Sequence, residues 1–306
     1  MSVFINPLSD FGFKRIFGKE GRSEEFLIDF LNELFHDDPV LSNIVSIKYK
    51  NVEKSRNHEE DKAIQYDLYC ETNTGHRFIV EMQRQNKRNF RDRVTYYLSR
   101  AISDQGLHTK EGESWEFDLI PVVGVFITNF LVPGLEPKLL VHGKFLDPDT
   151  GETVLDKVRC TFIQLRQFNK DASECKTGFD KWIYILKNME TLQDIPFKTK
   201  KDRIFERLAE LGKVAKLNEE ERIQYDRDLK WARDYNAEMK YAREMAAEEG
   251  RAEGLAEGRA EGRAEGREEG RAEEKLLMAK NLKTLGVDLE TISKATGLTE
   301  EEINCL

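Results

Sequence analysis

Apolar and polar positions in the first part of the chain follow helical and strand periods in a definite order. The predicted elements are a helix at 23–35, strands at 44–52, 63–71 and 76–84, a helix at 89–105 and a strand at 119–128. The sequence Thr-Asn-Thr-Gly at 72–75 joins the second and third strands as a hairpin turn. The segment 119–128 is almost entirely apolar, so we expect a central strand there. Pro121 is expected at its beginning, because proline cannot donate to a sheet ladder.

The second part of the chain changes character near residue 200. Strands are predicted at 139–141 and 158–165 and a helix at 177–188, before a long, highly charged helix that Asn218 caps. A repeat of Gly-Arg-Ala-Glu follows at 250–267, and three short helices end the sequence. We interpret the chain as a globular domain at 1–198, a charged helical arm at 199–249, a repeat connector at 250–275 and a small helix-turn-helix-like module at 276–306.

The repeat admits two interpretations. Each glycine costs a helix about 1 kcal/mol relative to alanine, and glutamates four residues apart repel, so the first is a flexible or frayed connector. In the second, rows of Gly and Ala allow close approach of two helices, and residues 219–306 mediate self-association. The exposed positions of the last turn are acidic, which favours protein contact over DNA reading for the terminal module.

Composition narrows the class of protein. The 306 residues are 39% apolar and 34% charged, with a net charge of −9, which argues against general DNA coating by the whole chain. No apolar segment is long enough to span a bilayer, and the four cysteines are scattered, so we expect a cytoplasmic protein with reduced thiols and no membrane contact. The sequence contains neither zinc-ligand spacing nor a phosphate-binding glycine loop, so no nucleotide cofactor is expected.

Three polar residues fall within the hairpin strands, where apolar neighbours predict burial. With the turn centred near Thr74, Asp67 lies opposite Glu81, and Gln83 shares the face of Glu81 because strand side chains alternate. Buried carboxylates are costly unless something neutralises them, and a divalent cation would do so. Mg²⁺ prefers oxygen ligands, which Asp67, Glu81 and the backbone carbonyl of Met82 can supply, with Mn²⁺ as an alternative ion. The pattern therefore predicts metal-assisted phosphodiester cleavage.

Several segments together resemble the PD-(D/E)XK nuclease superfamily, and within it the recombination-promoting nuclease and transposase branch. The residues that carry the resemblance are Ser-Asp-Phe-Gly-Phe-Lys-Arg-Ile-Phe-Gly at 9–18, Lys62, Asp67, Val-Glu-Met-Gln at 80–83, Arg93 with Tyr96 and Tyr97, Pro-Val-Val at 121–123, and the segments 279–283 and 296–299. The similarity covers nearly the whole chain. It departs from the superfamily pattern at Tyr66, where a proline is usual, and at Gln83, where a lysine is usual.

The resemblance implies an α/β fold: a restriction-endonuclease-like mixed sheet flanked by helices, with a C-terminal helical extension. It also implies a Mg²⁺-dependent DNA endonuclease linked to recombination, mobile elements or phage defence. Because Gln83 cannot titrate, its side chain would position water or substrate, and the reaction would be slower and more dependent on metal than in a lysine-containing site. The alternative is a catalytically weak or inactive module that binds DNA or protein and retains a vestigial acidic site.

Further candidates surround the three hairpin residues. Asp10 is either a helix N-cap or turn residue, or a third acidic group that the first helix brings near the metal. The segment 77–100 carries seven positive and two negative side chains, which favours contact with the DNA backbone. The residues assigned to DNA contact are Lys62, Arg84, Lys87, Arg88 and Arg93.

Overall fold

The computed structural model describes residues 2–18, 21–50, 53–54, 64–106, 118–199 and 202–306. Its helices are α1 (Asp10–Phe17), α2 (Glu24–Leu34), α3 (Phe90–Ser103), α4 (Gly178–Asn188), α5 (Arg203–Gly212), α6 (Glu219–Thr284), α7 (Leu289–Thr296) and α8 (Glu300–Asn304). Its strands are β1 (Ile47–Tyr49), β2 (Glu53–Lys54), β3 (Ile64–Gln65), β4 (Leu68–Thr72), β5 (Arg77–Gln83), β6 (Val122–Thr128), β7 (Leu140–Leu146) and β8 (Thr153–Gln164).

Six strands form one mixed sheet in the order β1-β4-β5-β6-β8-β7. The pairs β1/β4, β4/β5 and β7/β8 are antiparallel, whereas β5/β6 and β6/β8 are parallel. Strands β2 and β3 pair separately. This arrangement confirms the fold class that the sequence predicted, a mixed sheet with flanking helices and a long C-terminal helix.

Helices cover both faces of the sheet. One face packs against α1, α2, α4 and α5 through a core that includes Phe30 and Trp182, and the other packs against α3 through residues such as Tyr97. All seven residues of β6 are buried, which is why this strand reads as a continuous apolar segment. The prediction of a central strand is confirmed, but the strand begins at Val122, directly after Pro121, and not at residue 119.

The strand predicted at 44–52 is much shorter in the structure and covers only Ile47–Tyr49 within the described residues. Its first part is replaced by side-chain hydrogen bonding. The Asn73 side-chain oxygen accepts from the backbone N–H of Val45 at 2.9 Å and of Ser46 at 3.2 Å. Because an amide side chain satisfies these donors, they do not join the ladder, and the alternating pattern overstated the strand.

Helix α6 runs without interruption for 66 residues. Asn218 caps it as predicted, because its side-chain oxygen accepts from the Glu221 N–H at 2.8 Å. The Gly-Arg-Ala-Glu repeat at 250–267 lies within this helix and is exposed, and its role as a connector stays a prediction. A Cβ added at any glycine from Gly250 to Gly270 would meet nothing within 4 Å, so these glycines leave the helix surface bare.

The chain divides into two compact units, at 1–231 and 232–306. The first unit extends past residue 198, where the sequence analysis ended the globular domain, because α5 and the first turns of α6 bury Phe205, Leu208 and Tyr225. In the second unit, the end of α6 packs on α7 and α8 through Ala279, Ile292 and Ile303. Along the described residues, none of the helices is both long and apolar enough to cross a membrane.

Candidate active site

Asp67 and Glu81 face each other at the open end of the β4–β5 hairpin. Leu68 pairs with Val80, so Asp67 comes next opposite Glu81. The backbone N–H of Asp67 donates to Glu81 Oε1 at 2.9 Å, and the N–H of Met82 donates to Asp67 Oδ2 at 2.8 Å. One oxygen of each carboxylate therefore accepts a hydrogen bond from the backbone of the opposite strand, which fixes both side chains in place.

Burial makes this pair costly when both groups are ionised. Glu81 is only 1% exposed. Burial raises the pKa of Glu81, and the neighbouring charge of Asp67 raises it further. Burial also raises the pKa of Asp67, an effect that the Met82 N–H opposes. Two partly desolvated carboxylates that repel each other are the arrangement that a bound cation would relieve.

Gln83 follows on the same face of β5. Its side chain hydrogen-bonds to Glu81, which lowers the pKa of that carboxyl and partly offsets burial. Gln83 also lines a cavity of about 240 Å³ together with Asp67 and Met82. An amide in this position can hold a water or a phosphate oxygen by hydrogen bonds, but it brings no charge.

Helix α1 closes one side of the same region. Its N-cap is Ser9, whose Oγ accepts from the Gly12 N–H at 2.9 Å, so the N-cap interpretation of Asp10 is wrong. Asp10 is the first helical residue and forms an ion pair with Lys14 Nζ at 2.8 Å. Asp10 and Lys14 line a groove of about 700 Å³ with Asp67, and Asp10 also lines the smaller cavity.

The first turns of α6 hold α1 over the site. Asp228 Oδ2 accepts from the Phe11 N–H at 2.7 Å, and the Tyr225 hydroxyl accepts from the Asn6 N–H at 2.8 Å. Arg15 forms an ion pair with Glu221 at 2.6 Å. None of these α6 positions is among the site residues predicted from the sequence. Their only sequence signal is spacing, because residues 221, 225 and 228 lie on one face of a helix.

Two of the α6 residues also line the site. Asp228 borders both the small cavity and the groove, and Trp231, which is 59% exposed, borders the small cavity. Asp228 and Trp231 therefore lie near Asp67, although more than 150 residues separate them from it in the sequence.

A comparison with protein-family models decides the assignment. The model described as PD-(D/E)XK nuclease family transposase matches residues 7–242. The chain belongs to this family. A search of curated proteins and a search of solved structures each found no match. The matched range includes the whole site, from α1 through the first turns of α6.

Some of the basic residues predicted to contact DNA lie beside the carboxylates, and others do not. Arg84, Lys87 and Arg93 line the small cavity, and Arg88 lies in the adjoining loop beside Lys87. Lys62 lies outside the described residues. Arg93 is the most constrained, since its Nε donates to the Tyr97 hydroxyl at 2.8 Å.

Two positive charges that the sequence analysis counted are engaged away from the cavity. Arg77 forms an ion pair with Glu71 at 3.2 Å, and Arg100 forms one with Asp104 at 2.8 Å. The positive charge available to a phosphate backbone therefore centres on residues 84–93.

The donor set fits a hard divalent cation of the kind that PD-(D/E)XK nucleases typically use. Among the described residues, no three His, Cys, Asp or Glu side chains are grouped so that they could hold a metal ion. The structure brings two carboxylates together across the hairpin, those of Asp67 and Glu81, while the carboxylate of Asp10 is paired with Lys14. Such a pair with waters is how proteins commonly bind Mg²⁺.

The bond between Asp228 and α1 gives a first testable prediction. We expect Asp228→Ala to lower the free energy of unfolding by about 1 kcal/mol, because the Phe11 N–H in the first turn of α1 loses its acceptor. Urea denaturation would measure the loss. Asp226→Ala is the matched control, since Asp226 is exposed and pairs only with Arg222 in the part of the chain described. Equal stability of the two variants would contradict this role of Asp228.

Proposed function

We propose that this protein is a metal-dependent DNA endonuclease that cleaves phosphodiester bonds with Mg²⁺ or Mn²⁺. The observation that carries the proposal is the pair of carboxylates formed by the half-buried Asp67 and the buried Glu81, which meet across the hairpin in a member of a nuclease family. The four free cysteines suit action in the reducing cytoplasm, where DNA recombination, mobile elements and phage defence operate.

The residues take distinct roles in this proposal. Asp67 and Glu81 would hold the cation, and the backbone carbonyl of Met82 would add a ligand. Mg²⁺ bound there would supply charge compensation for the phosphate and an activated water. Gln83 orients the attacking water from its place beside Glu81. Asp10 borders the cavity and is the candidate for a further acidic ligand.

Positive side chains next to the carboxylates bind the DNA backbone in this proposal. Arg84, Lys87 and Arg93 line the small cavity, and Arg88 follows in the adjoining loop. Lys62, which lies outside the described residues, is proposed for the same role from the sequence alone. Phosphate contacts of this kind position the nucleic acid without reading its sequence.

Plasmid nicking tests the proposal directly. We expect wild-type protein to nick supercoiled DNA with Mg²⁺ and not with EDTA. Asp67→Ala and Glu81→Ala should each reduce the rate at least about 100-fold. Unfolding curves for all three proteins would exclude loss of the fold as the cause. Equal cleavage by the three proteins would contradict the proposal, because contaminating nuclease would then be the source.

One observation favours a second candidate, a weakly active or inactive binding module. Gln83 provides no charge at the strand position beside Glu81, and Glu81 is almost fully buried. Absence of cleavage by wild type with either metal, together with retained DNA binding, would support this candidate over the endonuclease.

A further inference from the structure

Strand β5 places no positive charge at position 83, next to the carboxylate of Glu81. Gln83 is the residue of β5 that hydrogen-bonds to Glu81, and an amide cannot offset the negative charge of a phosphate. Helix α1 carries a lysine toward the same carboxylates from a different part of the fold. Lys14 and Asp67 line one groove of about 700 Å³, and Asp10 and Asp67 border both that groove and the small cavity.

An ion pair within α1 orients the side chain of Lys14. Its ammonium group contacts both carboxylate oxygens of Asp10, at 2.8 and 3.1 Å, one helical turn away. The helix that carries it is fixed in turn by Asp228 at Phe11 and by Glu221 at Arg15. A long and flexible side chain is thereby oriented before any substrate arrives, which reduces the entropy lost on binding.

The electrostatic surroundings agree with this placement. Burial lowers the pKa of Lys14, but the Asp10 contact and the charges of Asp10, Asp67 and Asp228 outweigh burial and raise it. Burial raises the pKa of Asp67, and the charge of Lys14 partly opposes that rise. The lysine is therefore a cation within electrostatic reach of the candidate metal ligand while its side chain remains 37% exposed to the groove.

Two other cations near the site are less suited to this role. The Arg93 guanidinium donates to the Tyr97 hydroxyl and lies 5.0 Å from the centre of that ring. Lys50 lines the same groove as Lys14, but its ion-pair partner at 3.0 Å is Glu71, which lies four residues along the chain from Asp67, whereas the partner of Lys14 is Asp10, which borders the groove together with Asp67. The charge of Arg93 also opposes the rise that burial causes in the pKa values of Asp67 and Glu81, but of these three cations Lys14 is the one that is paired with Asp10 at the edge of the groove.

We propose that Lys14, supplied by helix α1, contacts the non-bridging oxygens of the scissile phosphate and provides there the positive charge that Gln83 cannot provide. The inference rests on the proposed nuclease function and names a further residue for it. Lys14 makes and breaks no covalent bond. Its charge opposes the negative charge that develops on the phosphate oxygens as water adds to phosphorus, an effect that is larger in the transition state than in the bound substrate.

Single-turnover cleavage of an oligonucleotide duplex with Mg²⁺ tests this role. We expect Lys14→Gln to reduce the cleavage rate at saturation about 100-fold, with a much smaller change in the protein concentration that gives half the maximal rate. Lys14→Arg should recover part of the rate, because it keeps the charge but changes the shape of the donor. Lys50→Gln is the matched control: it removes the same charge from the same groove and should cleave like wild type.

Metal binding provides a readout besides activity. Calorimetry should show that Lys14→Gln binds Mn²⁺ at least as tightly as wild type, since a neighbouring positive charge has been removed. If Lys14→Gln does not fold, Lys14→Met keeps the aliphatic length of the side chain and takes its place in both measurements.

Each outcome bears on a different proposal. Wild-type rates in Lys14→Gln, equal losses in Lys14→Gln and Lys50→Gln, or loss of metal binding in Lys14→Gln would overturn the assignment of Lys14. If wild type cleaves and Asp67→Ala does not, such a result leaves the endonuclease itself intact. A wild-type protein that cleaves with neither Mg²⁺ nor Mn²⁺ overturns both.

Discussion

Glu81→Gln is expected to abolish cleavage and at the same time to stabilise the fold at neutral and alkaline pH. The carboxyl group of Glu81 is 1% exposed, and its neighbour Asp67 is also acidic. An isosteric amide keeps an oxygen for the Asp67 N–H while removing the buried charge and its repulsion. The carboxylate of Glu81, which would bind the metal, therefore destabilises the metal-free protein. Residues needed for activity often lower the stability of the fold in this way.

The direction of the pH dependence follows from the pKa of Glu81. Burial raises it in the folded state above the ordinary value of 4.5, which the unfolded chain retains. As pH rises past 4.5, the unfolded state loses its proton first, so the stability of wild type falls until the folded state has also ionised. Glu81→Gln lacks this loss. The free energy of unfolding of Glu81→Gln should therefore equal that of wild type at pH 4 and exceed it by about 2 kcal/mol at high pH.

Urea denaturation at several pH values, without metal, would measure this difference. Glu71→Gln, on the same hairpin, is the control with the opposite sign. Burial raises the pKa of Glu71, but its bonds with Lys50 and Arg77 outweigh burial and lower it. Glu71 therefore stabilises the fold above its unfolded pKa, and that contribution is lost as pH falls through its folded pKa. If Glu81→Gln destabilises the protein at pH 8, the charge at residue 81 is not the cost inferred here.

The centre of the site could be predicted from sequence because it is local. Asp67 and Glu81 are 14 residues apart and joined by one turn, so strand alternation and turn position suffice to place them opposite each other. The buried strand β6 also follows from a continuous apolar segment. The strand at 44–52 was predicted too long, because the Asn73 side chain, and not a neighbouring strand, accepts from the N–H groups of Val45 and Ser46. The alternation of apolar and polar residues does not reveal such a contact.

The other side of the site could not be predicted, because its contacts join distant parts of the chain. The hydrogen bond between Phe11 and Asp228 spans 217 residues, and the one between Asn6 and Tyr225 spans 219. No local period records such a contact. Lys14 was part of a resembling segment, but its place beside Asp67 depends on how α6 fixes α1, which only the three-dimensional structure reveals.

A chain that ends at residue 217 is expected to lose the fold of the first compact unit, whereas a chain that ends at 242 should keep it. The shorter chain lacks Glu221 and Tyr225. Arg15, which is 5% exposed, would lose its carboxylate partner, and leaving a buried charge unpaired costs about 3–5 kcal/mol. The buried Asn6 N–H would lose its acceptor, which adds about 1–3 kcal/mol.

These losses together approach the whole stability of a typical domain, about 5–15 kcal/mol. Thermal unfolding followed by circular dichroism should therefore show a cooperative transition for residues 1–242 and none for 1–217. Glu221→Gln in the full-length chain isolates the Arg15 contribution, because the amide keeps a polar partner but removes the charge. Identical transitions for the two truncated chains would mean that α1 needs no support from α6. The positions of Asp10 and Lys14 would then have to be set by α1 and the sheet alone.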